Sequence, residues 1–257
     1  MRPFNYSDFE SPFMDINYIQ MLQRPRLRFF TECKRVLDAA CGPGFFLELL
    51  KEAGIEAVGV DRNEEIVEKV KLKGLKVIHS DIFDYLENVG DSYGGIFCSH
   101  LLEHLLFDRV VRLIELLIKK LEPGGVLVLV FPNSASIRLH LFGFWRDPEH
   151  VRFYTGDLIA SICRYYGLTL EYSNQEETPN HLEVPRIDFM PIVPRRSGWR
   201  RFFETSPDRT EDLVQEFNQK IDVFNRKMGA FSEALNKIWA WDDEVVLVGR
   251  KSLTTEG

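Results

Sequence analysis

The chain has few means of cross-linking itself. Its four cysteines, Cys33, Cys41, Cys98 and Cys163, are scattered and form no C-x-x-C pair. That excludes a disulfide framework and a zinc ribbon, and it fits a reducing compartment. No apolar run approaches the length needed to span a bilayer, and the opening residues lack the apolar core of a signal peptide. A soluble, cytoplasmic protein is therefore expected. Positive charge is also short. Lys and Arg number 32 against 39 Asp and Glu, for a net charge of −7, so bulk electrostatics do not favour nucleic acid. What the chain does have is apolar residues, 45% of 257. That is ample for a core, at a length that fits one large domain or one domain plus an appendage.

The most informative stretch is residues 35–61. Val36 and Leu37 open a short buried strand that runs into Asp38-Ala-Ala-Cys-Gly42-Pro-Gly44. Two glycines there allow a sharp turn and the close approach of a ligand. Phe45 to Lys51 carries apolar residues at helical spacing, Gly54 closes that helix, and Ala57-Val-Gly-Val-Asp61 is the next strand. An acid at the tip of the second strand of a βαβ unit is placed to accept both hydroxyls of a ribose.

One glycine is missing. A dinucleotide-binding turn needs G-x-G-x-x-G to seat a pyrophosphate on the helix, and the third position here is Leu47. A nucleoside cofactor without phosphates has no such need. Val36-Leu-Asp38-Ala-Ala-Cys-Gly42-Pro-Gly44 resembles the first motif of class I S-adenosylmethionine (SAM) methyltransferases, an apolar pair followed by D/E-x-x-x-G-x-G. The resemblance implies SAM as cofactor and S-adenosylhomocysteine as product. It implies cofactor contacts from Asp38, Ala40, Cys41, Gly42 and Gly44 in the turn. Asp61 and Arg62 would contribute at the second strand, and Ser99 and His100 at the end of the fourth.

The strand–helix alternation continues. Glu64 to Lys73 reads as a helix with Asn63 as N-cap and Gly74 as stop, and Leu75 to Ser80 as a strand ending at Asp81. In the resembled family an acid here accepts from the adenine amino group and the next backbone N–H reads a ring nitrogen, which maps to Asp81 and Ile82. The other reading makes Asp81 the cap of the following helix. Tyr93 to His100 is a fourth strand and Asp108 to Leu121 an amphipathic helix. Glu122-Pro-Gly-Gly125 is a turn and Val126 to Asn133 a fifth strand. The expected fold is α/β. It is a Rossmann-like, doubly wound, seven-stranded and mostly parallel sheet with ligands at the carboxyl ends of its strands. By family analogy Glu244 to Arg250 is an antiparallel last strand. Residues 35–173 with 244–257 would form the SAM-binding core, behind an N-terminal extension of residues 1–34. In that extension Tyr18, Arg24 and Arg26 are candidate lid contacts.

Two histidine-bearing stretches fall where an acceptor would lie, His100-Leu-Leu-Glu103-His104 and Asp147-Pro-Glu-His150-Val-Arg152-Phe-Tyr154. They resemble segments of methyltransferases acting on saccharides, surface glycans and quinones. The methyl donor is already a strong electrophile, so the chain must align the acceptor and remove a proton. His150 is the expected base, with Arg152 or Tyr154 orienting substrate and His104 beside it. A loop histidine bonded to backbone is the plainer alternative. On a helix His100 and His104 would share a face, with Glu103 beside them. The resemblance extends to a minority metal set of His100, Glu103, His104 and His150. The subgroup that binds metal has a glutamate where this chain has His100, so no metal is the expectation.

The sequence reading is thus a SAM-dependent O-methyltransferase of a small-molecule or saccharide-type hydroxyl. The alternatives are a metal-assisted enzyme acting on an RNA terminus or a quinone, and a non-catalytic SAM-binding scaffold. Residues 174–243 are an insertion outside the core. They hold a proline-rich stretch, a basic-aromatic run (Arg195 to Phe203) and a heptad seam of Leu213, Phe217, Ile221, Phe224, Met228, Phe231, Leu235 and Ile238. The helix at 208–241 is expected to act as a lid or as a homodimer contact.

Overall fold

The computed structural model describes residues 16–176, 209–239 and 242–253. Seven strands form one sheet: β1 (Arg35–Ala39), β2 (Glu56–Asp61), β3 (Val77–His79), β4 (Tyr93–Ser99), β5 (Leu121–Pro132), β6 (Leu168–Ser173) and β7 (Glu244–Lys251). Their order is β3-β2-β1-β4-β5-β7-β6. β1 to β5 pair in parallel, and β7 runs antiparallel to both β5 and β6. The expected doubly wound sheet with a reversed last strand is present.

Helices cover both faces: α1 (Ile16–Gln23), α2 (Phe45–Glu52), α3 (Glu64–Leu72), α4 (Ile82–Asn88), α5 (Phe107–Lys119) and α6 (Gly156–Tyr165). Parallel strands packed on two sides must alternate apolar contacts up and down, and β5 does so. Leu127, Leu129 and Phe131 join Leu113, Leu117 and Ile159 in one core. Val126, Val128 and Val130 join Phe46, Leu49 and Phe97 in the other. The amphipathic pattern of α5 buries Val110, Leu113, Ile114 and Leu117.

Gly59 accounts for the missing third glycine of the turn. A Cβ on Gly59 would lie 2.6 Å from both the Leu47 Cδ1 and the Cys41 Sγ. Close helix–strand packing is therefore achieved with the small residue on β2 and the large one on α2, the reverse of the dinucleotide pattern.

Two expectations shift. The Glu122-Pro-Gly-Gly125 turn is absorbed into β5, because Tyr93 pairs with Leu121 and Gly95 with Val126, so two steps of β4 match five of β5. The surplus forms a bulge in which Gly124 has φ +76°. Residues 16–30 make α1 and a 3₁₀ turn at Arg24–Phe29, which pack on α2 through Gln20 to Glu48 and Arg24 to Glu52.

The chain divides into two compact units. The first holds the sheet and α1 to α6. The second comprises Ala135–Arg138 and Pro179–Asp242 and contains α7 (Arg209–Trp239), one uninterrupted helix of 31 residues. The Arg195–Phe203 run lies outside the described residues. No helix among the described residues is long and apolar enough to cross a membrane.

Candidate active site

The strand order reverses between β1 and β4, and a crevice opens there at the carboxyl ends. It holds a cavity of about 750 Å³. Ala40, Gly42, Asp61, Arg62, Asp81 and Ile82 line one part, and His100, His104 and His150 another. Asp38, Cys41, Gly44 and Ser99 stand behind this lining, and Arg152 and Tyr154 are also outside it. Tyr18, Arg24 and Arg26 do not reach it either.

The turn is built around Asp61. Its Oδ2 accepts from the Gly42 N–H at 2.9 Å and its Oδ1 from the Asn63 N–H at 2.9 Å. Each oxygen keeps a lone pair for a ligand. Gly42 has φ +49° and no atom within 4 Å of where a Cβ would sit, so its backbone borders open space. Asp38 lies under this turn at the end of β1, 3% exposed, with Oδ2 unpartnered. Burial, and then the negative charge of Asp61, push its pKa up to about 8. The Ser99 Oγ on the neighbouring strand is also buried without a partner. Two orphaned polar groups below an open glycine turn suit a ligand that brings positive charge and hydrogen-bond donors. Burial raises the thiols of Cys41 and Cys98 far above the usual range, so neither is a nucleophile.

Asp81 caps α4, accepting at Oδ1 from the N–H groups of Phe83 at 2.8 Å and Asp84 at 3.4 Å. It lines the cavity as well, so capping and ligand binding are compatible. Ile82 occupies the first position of α4, where an N–H has no partner within the helix.

His100 and His104 do not share a helical face. His100 has φ +52° and is followed by a 3₁₀ turn, Leu102–His104. The left-handed backbone sends the two rings different ways. His100 Nδ1 bonds Glu103 Oε1 at 3.0 Å and Nε2 bonds Glu244 Oε1 at 2.7 Å. Glu244 also pairs with the buried Arg26. Local desolvation works against the charge on His100, whose side chain is still 45% exposed, but the two carboxylates outweigh it and raise its pKa to about 10. Burial likewise disfavours the Glu244 charge, yet His100 and Arg26 hold its pKa at about 2. His100 is therefore an imidazolium at neutral pH and no base.

His104 and His150 come together edge to face, with ring centres 4.7 Å apart. Burial lowers the pKa of His104, whose Nδ1 is unpartnered. His150 Nδ1 bonds the Phe144 carbonyl at 2.6 Å, so this nitrogen carries the proton. In the neutral ring Nε2 is then left as a lone pair, 3.6 Å from Asp147 Oδ2. Glu103, 1% exposed with Oε2 unpartnered, joins the pair. Ligand atoms of Glu103, His104 and His150 lie within 4.8 Å of one another. His100 is outside that group.

Tyr154 donates from its hydroxyl to the Leu105 carbonyl at 2.7 Å and is 2% exposed. Arg152 stacks over the Tyr154 ring at 5.0 Å. These residues brace the wall that carries His150. Tyr154→Phe removes the hydrogen bond to the half-buried Leu105 and should lower stability by about 0.5–1.5 kcal/mol, read as a fall in Tm at little cost to kcat. Two wall residues, and a third behind the wall, had no sequence signal. Arg109 lies over the Phe83 ring at 3.6 Å, Glu149 pairs with Arg62 at 2.8 Å, and Glu244 reaches His100 from a strand 144 residues away.

A cavity at the switch point, an acid at the tip of β2 and a glycine turn without phosphate-binding features define a nucleoside-cofactor site of the methyltransferase type. Comparison with known proteins agrees. A family model described as a methyltransferase domain matches residues 14–173, and the chain belongs to that family. It carries a SAM-dependent methyltransferase domain. The crystal structure of a SAM-dependent methyltransferase from Archaeoglobus fulgidus is 26% identical, with a TM-score of 0.69 over 96% of this chain and 100% of that one. A glycine/sarcosine N-methyltransferase of Aphanothece halophytica is 29% identical over 59% of this chain and 60% of its own length. A ubiquinone biosynthesis O-methyltransferase of Hydrogenovibrio crunogenus is 25% identical over 64% and 69%. The chain thus spans less than two thirds of the first of these two relatives.

Proposed function

We propose that the protein transfers a methyl group from SAM to a hydroxyl of a small-molecule or saccharide-type acceptor, with His150 Nε2 taking the proton. The observation that carries this reading is the bond from His150 Nδ1 to the Phe144 carbonyl in a residue that lines the cavity. Nε2 would then accept the proton, with Asp147 Oδ2 at 3.6 Å to stabilise the imidazolium. Relatives that methylate nitrogen and relatives that methylate oxygen both match. A histidine lone pair held for proton removal favours oxygen, because a hydroxyl must shed its proton as it attacks. Trp145, 63% exposed and adjacent to Phe144, offers an aromatic face on which a sugar or quinone ring can stack.

When bound, SAM would supply an electrophilic methyl on a sulfonium, with S-adenosylhomocysteine as the product. The chain would supply the rest. Asp61 would accept from the ribose hydroxyls with its two remaining lone pairs. Asp81 and the Ile82 N–H would read the adenine edge. Ala40, Gly42 and the carboxylate of Asp38 would serve the cationic end, with Cys41 and Gly44 shaping the turn, Ser99 beside it at the end of β4 and Arg62 at its rim. His100 lines the same wall as a fixed cation.

Asp38 gives a pH signature. In the free protein it holds its proton up to about pH 8, while a cationic ligand favours the carboxylate. Binding should therefore release a proton, and affinity should rise with pH until it levels near that value. Calorimetry in buffers of different ionisation enthalpy reads the proton release, and Asp38→Asn should abolish it.

A second reading is favoured by one observation, the convergence of Glu103, His104 and His150. Glu103 Oε2, a His104 nitrogen and His150 Nε2 would hold a divalent ion that polarises the acceptor oxygen. The Phe144 carbonyl and His100 would orient two of the ligands. Activity that survives a chelator, in protein free of bound metal by elemental analysis, supports His150 as the base. Loss of activity with restoration by a divalent ion supports the metal. An acceptor screen with labelled SAM tests the main reading. Label on hydroxyl acceptors is expected, and label on amines alone would overturn it.

A further inference from the structure

The helix α7 carries a face that the methyltransferase chemistry does not use. Leu213, Phe217, Phe224 and Phe231 are 60%, 55%, 46% and 56% exposed. At about 100° per residue they fall within roughly 40° of arc, so they form one straight stripe. Leu235, half-buried, continues it. The adjacent flank behaves differently: Ile221 is buried, and Val214 and Met228 are half-buried. Four large apolar side chains in line on a 31-residue helix mark an interaction surface.

The stripe identifies its partner by its own symmetry. From Leu213 to Phe217, Phe224, Phe231 and Leu235 the steps are four, seven, seven and four. The pattern is the same read from either end, with Phe224 at its centre. A two-fold interface requires a surface complementary to itself. An antiparallel second copy places leucine against leucine and phenylalanine against phenylalanine. Phe217 would meet the partner's Phe231, and Phe224 would meet its own mate at the axis. The seven-residue steps between the phenylalanines supply the heptad period that lets two helices stay in contact. Charge chooses the direction. Between Leu213 and Leu235 the first half holds Glu216 and Asp222 against Lys220, and the second half holds Arg226 and Lys227 against Glu233. Antiparallel pairing sets an acidic half on a basic half, whereas parallel pairing sets like on like. A membrane surface is the poorer occupant, because interfacial helices carry an excess of Lys and Arg on the polar face and here acids and bases balance.

We propose that α7 pairs antiparallel with α7 of a second copy of this chain through the Leu213–Phe217–Phe224–Phe231–Leu235 stripe. Light scattering on the 257-residue chain should give twice its 29.9 kDa mass. Phe224→Glu, which sets two like charges face to face at the axis, should return it to one chain with SAM binding retained. Direction is read by oxidative cross-linking. Phe224→Cys should form a covalent dimer. Leu213→Cys alone should not, because its mate lies roughly 33 Å away at 1.5 Å per residue, but a mixture of Leu213→Cys and Leu235→Cys should. The native cysteines are buried or half-buried, so wild type is the blank. A monomeric mass at every concentration, with or without co-sedimentation with lipid vesicles, would overturn the proposal. So would Leu213→Cys cross-linking to itself as readily as Phe224→Cys. The cysteine variants decide the matter even where Phe224→Glu fails to fold.

Discussion

His150→Asn is expected to lower kcat by about 10²–10⁴-fold, the range for removing a general base, while the dissociation constant for SAM stays unchanged. His150 sits in the wall away from the glycine turn, packed on Phe144 with ring centres 4.5 Å apart. Asparagine can keep a donor near the Phe144 carbonyl, so the loop should hold its shape. What disappears is the lone pair at Nε2. His104 cannot replace it in place, since it enters from a different element, the 3₁₀ turn after β4. A matched fall in kcat and cofactor affinity would mean that His150 shapes the cofactor pocket. An unchanged kcat would remove it from the chemistry.

Asp61→Ala carries the second large effect, on binding instead of turnover. Each carboxylate oxygen has one lone pair engaged by the turn, through Gly42 and Asn63, and one available to a ribose hydroxyl. Hydrogen bonds to a charged group contribute about 1.5–3 kcal/mol each. Loss of two, with the turn left unanchored, should weaken SAM by roughly 10²–10⁴-fold. Asp61→Asn should lie between, because its amide nitrogen cannot accept. Thermal shift by SAM measures both, and the variants should keep most of their ligand-free stability because Asp61 lies at a strand tip and not in the core.

Much of this was legible in the sequence because it rests on local pattern. Val36 to Asp61 announces strand, turn, helix, strand through residues that touch along the chain, and Asn63 and Gly74 mark the ends of α3 where they stand. The absent third glycine at Leu47 rightly disfavours a dinucleotide. Its structural counterpart at Gly59 was hidden, because helix–strand contact is not written in either segment alone. The histidines were found but not their states. An i, i+4 spacing reads as one helical face only if the backbone is helical, and the positive φ of His100 breaks that premise. Its two carboxylate partners come from a 3₁₀ turn and from the last strand, and no local window joins residues 100 and 244. His104 and His150 meet because the segment after β5 folds back on the one after β4, with Val151 N–H donating to the Glu103 carbonyl at 2.8 Å. The raised pKa of Asp38 follows from burial and then from the charge of Asp61, which only packing reveals. The heptad seam of α7 was visible as period, whereas the division into an open and a covered flank needed the helix itself.

The measurement that tests the central claim most directly is calorimetric titration of SAM into the wild-type chain and into Asp61→Ala. Saturable binding at one site per chain, weakened at least 100-fold by the substitution, is the predicted result. No binding to wild type, or equal binding to both proteins, would contradict the assignment of the β1–β4 crevice as the cofactor site.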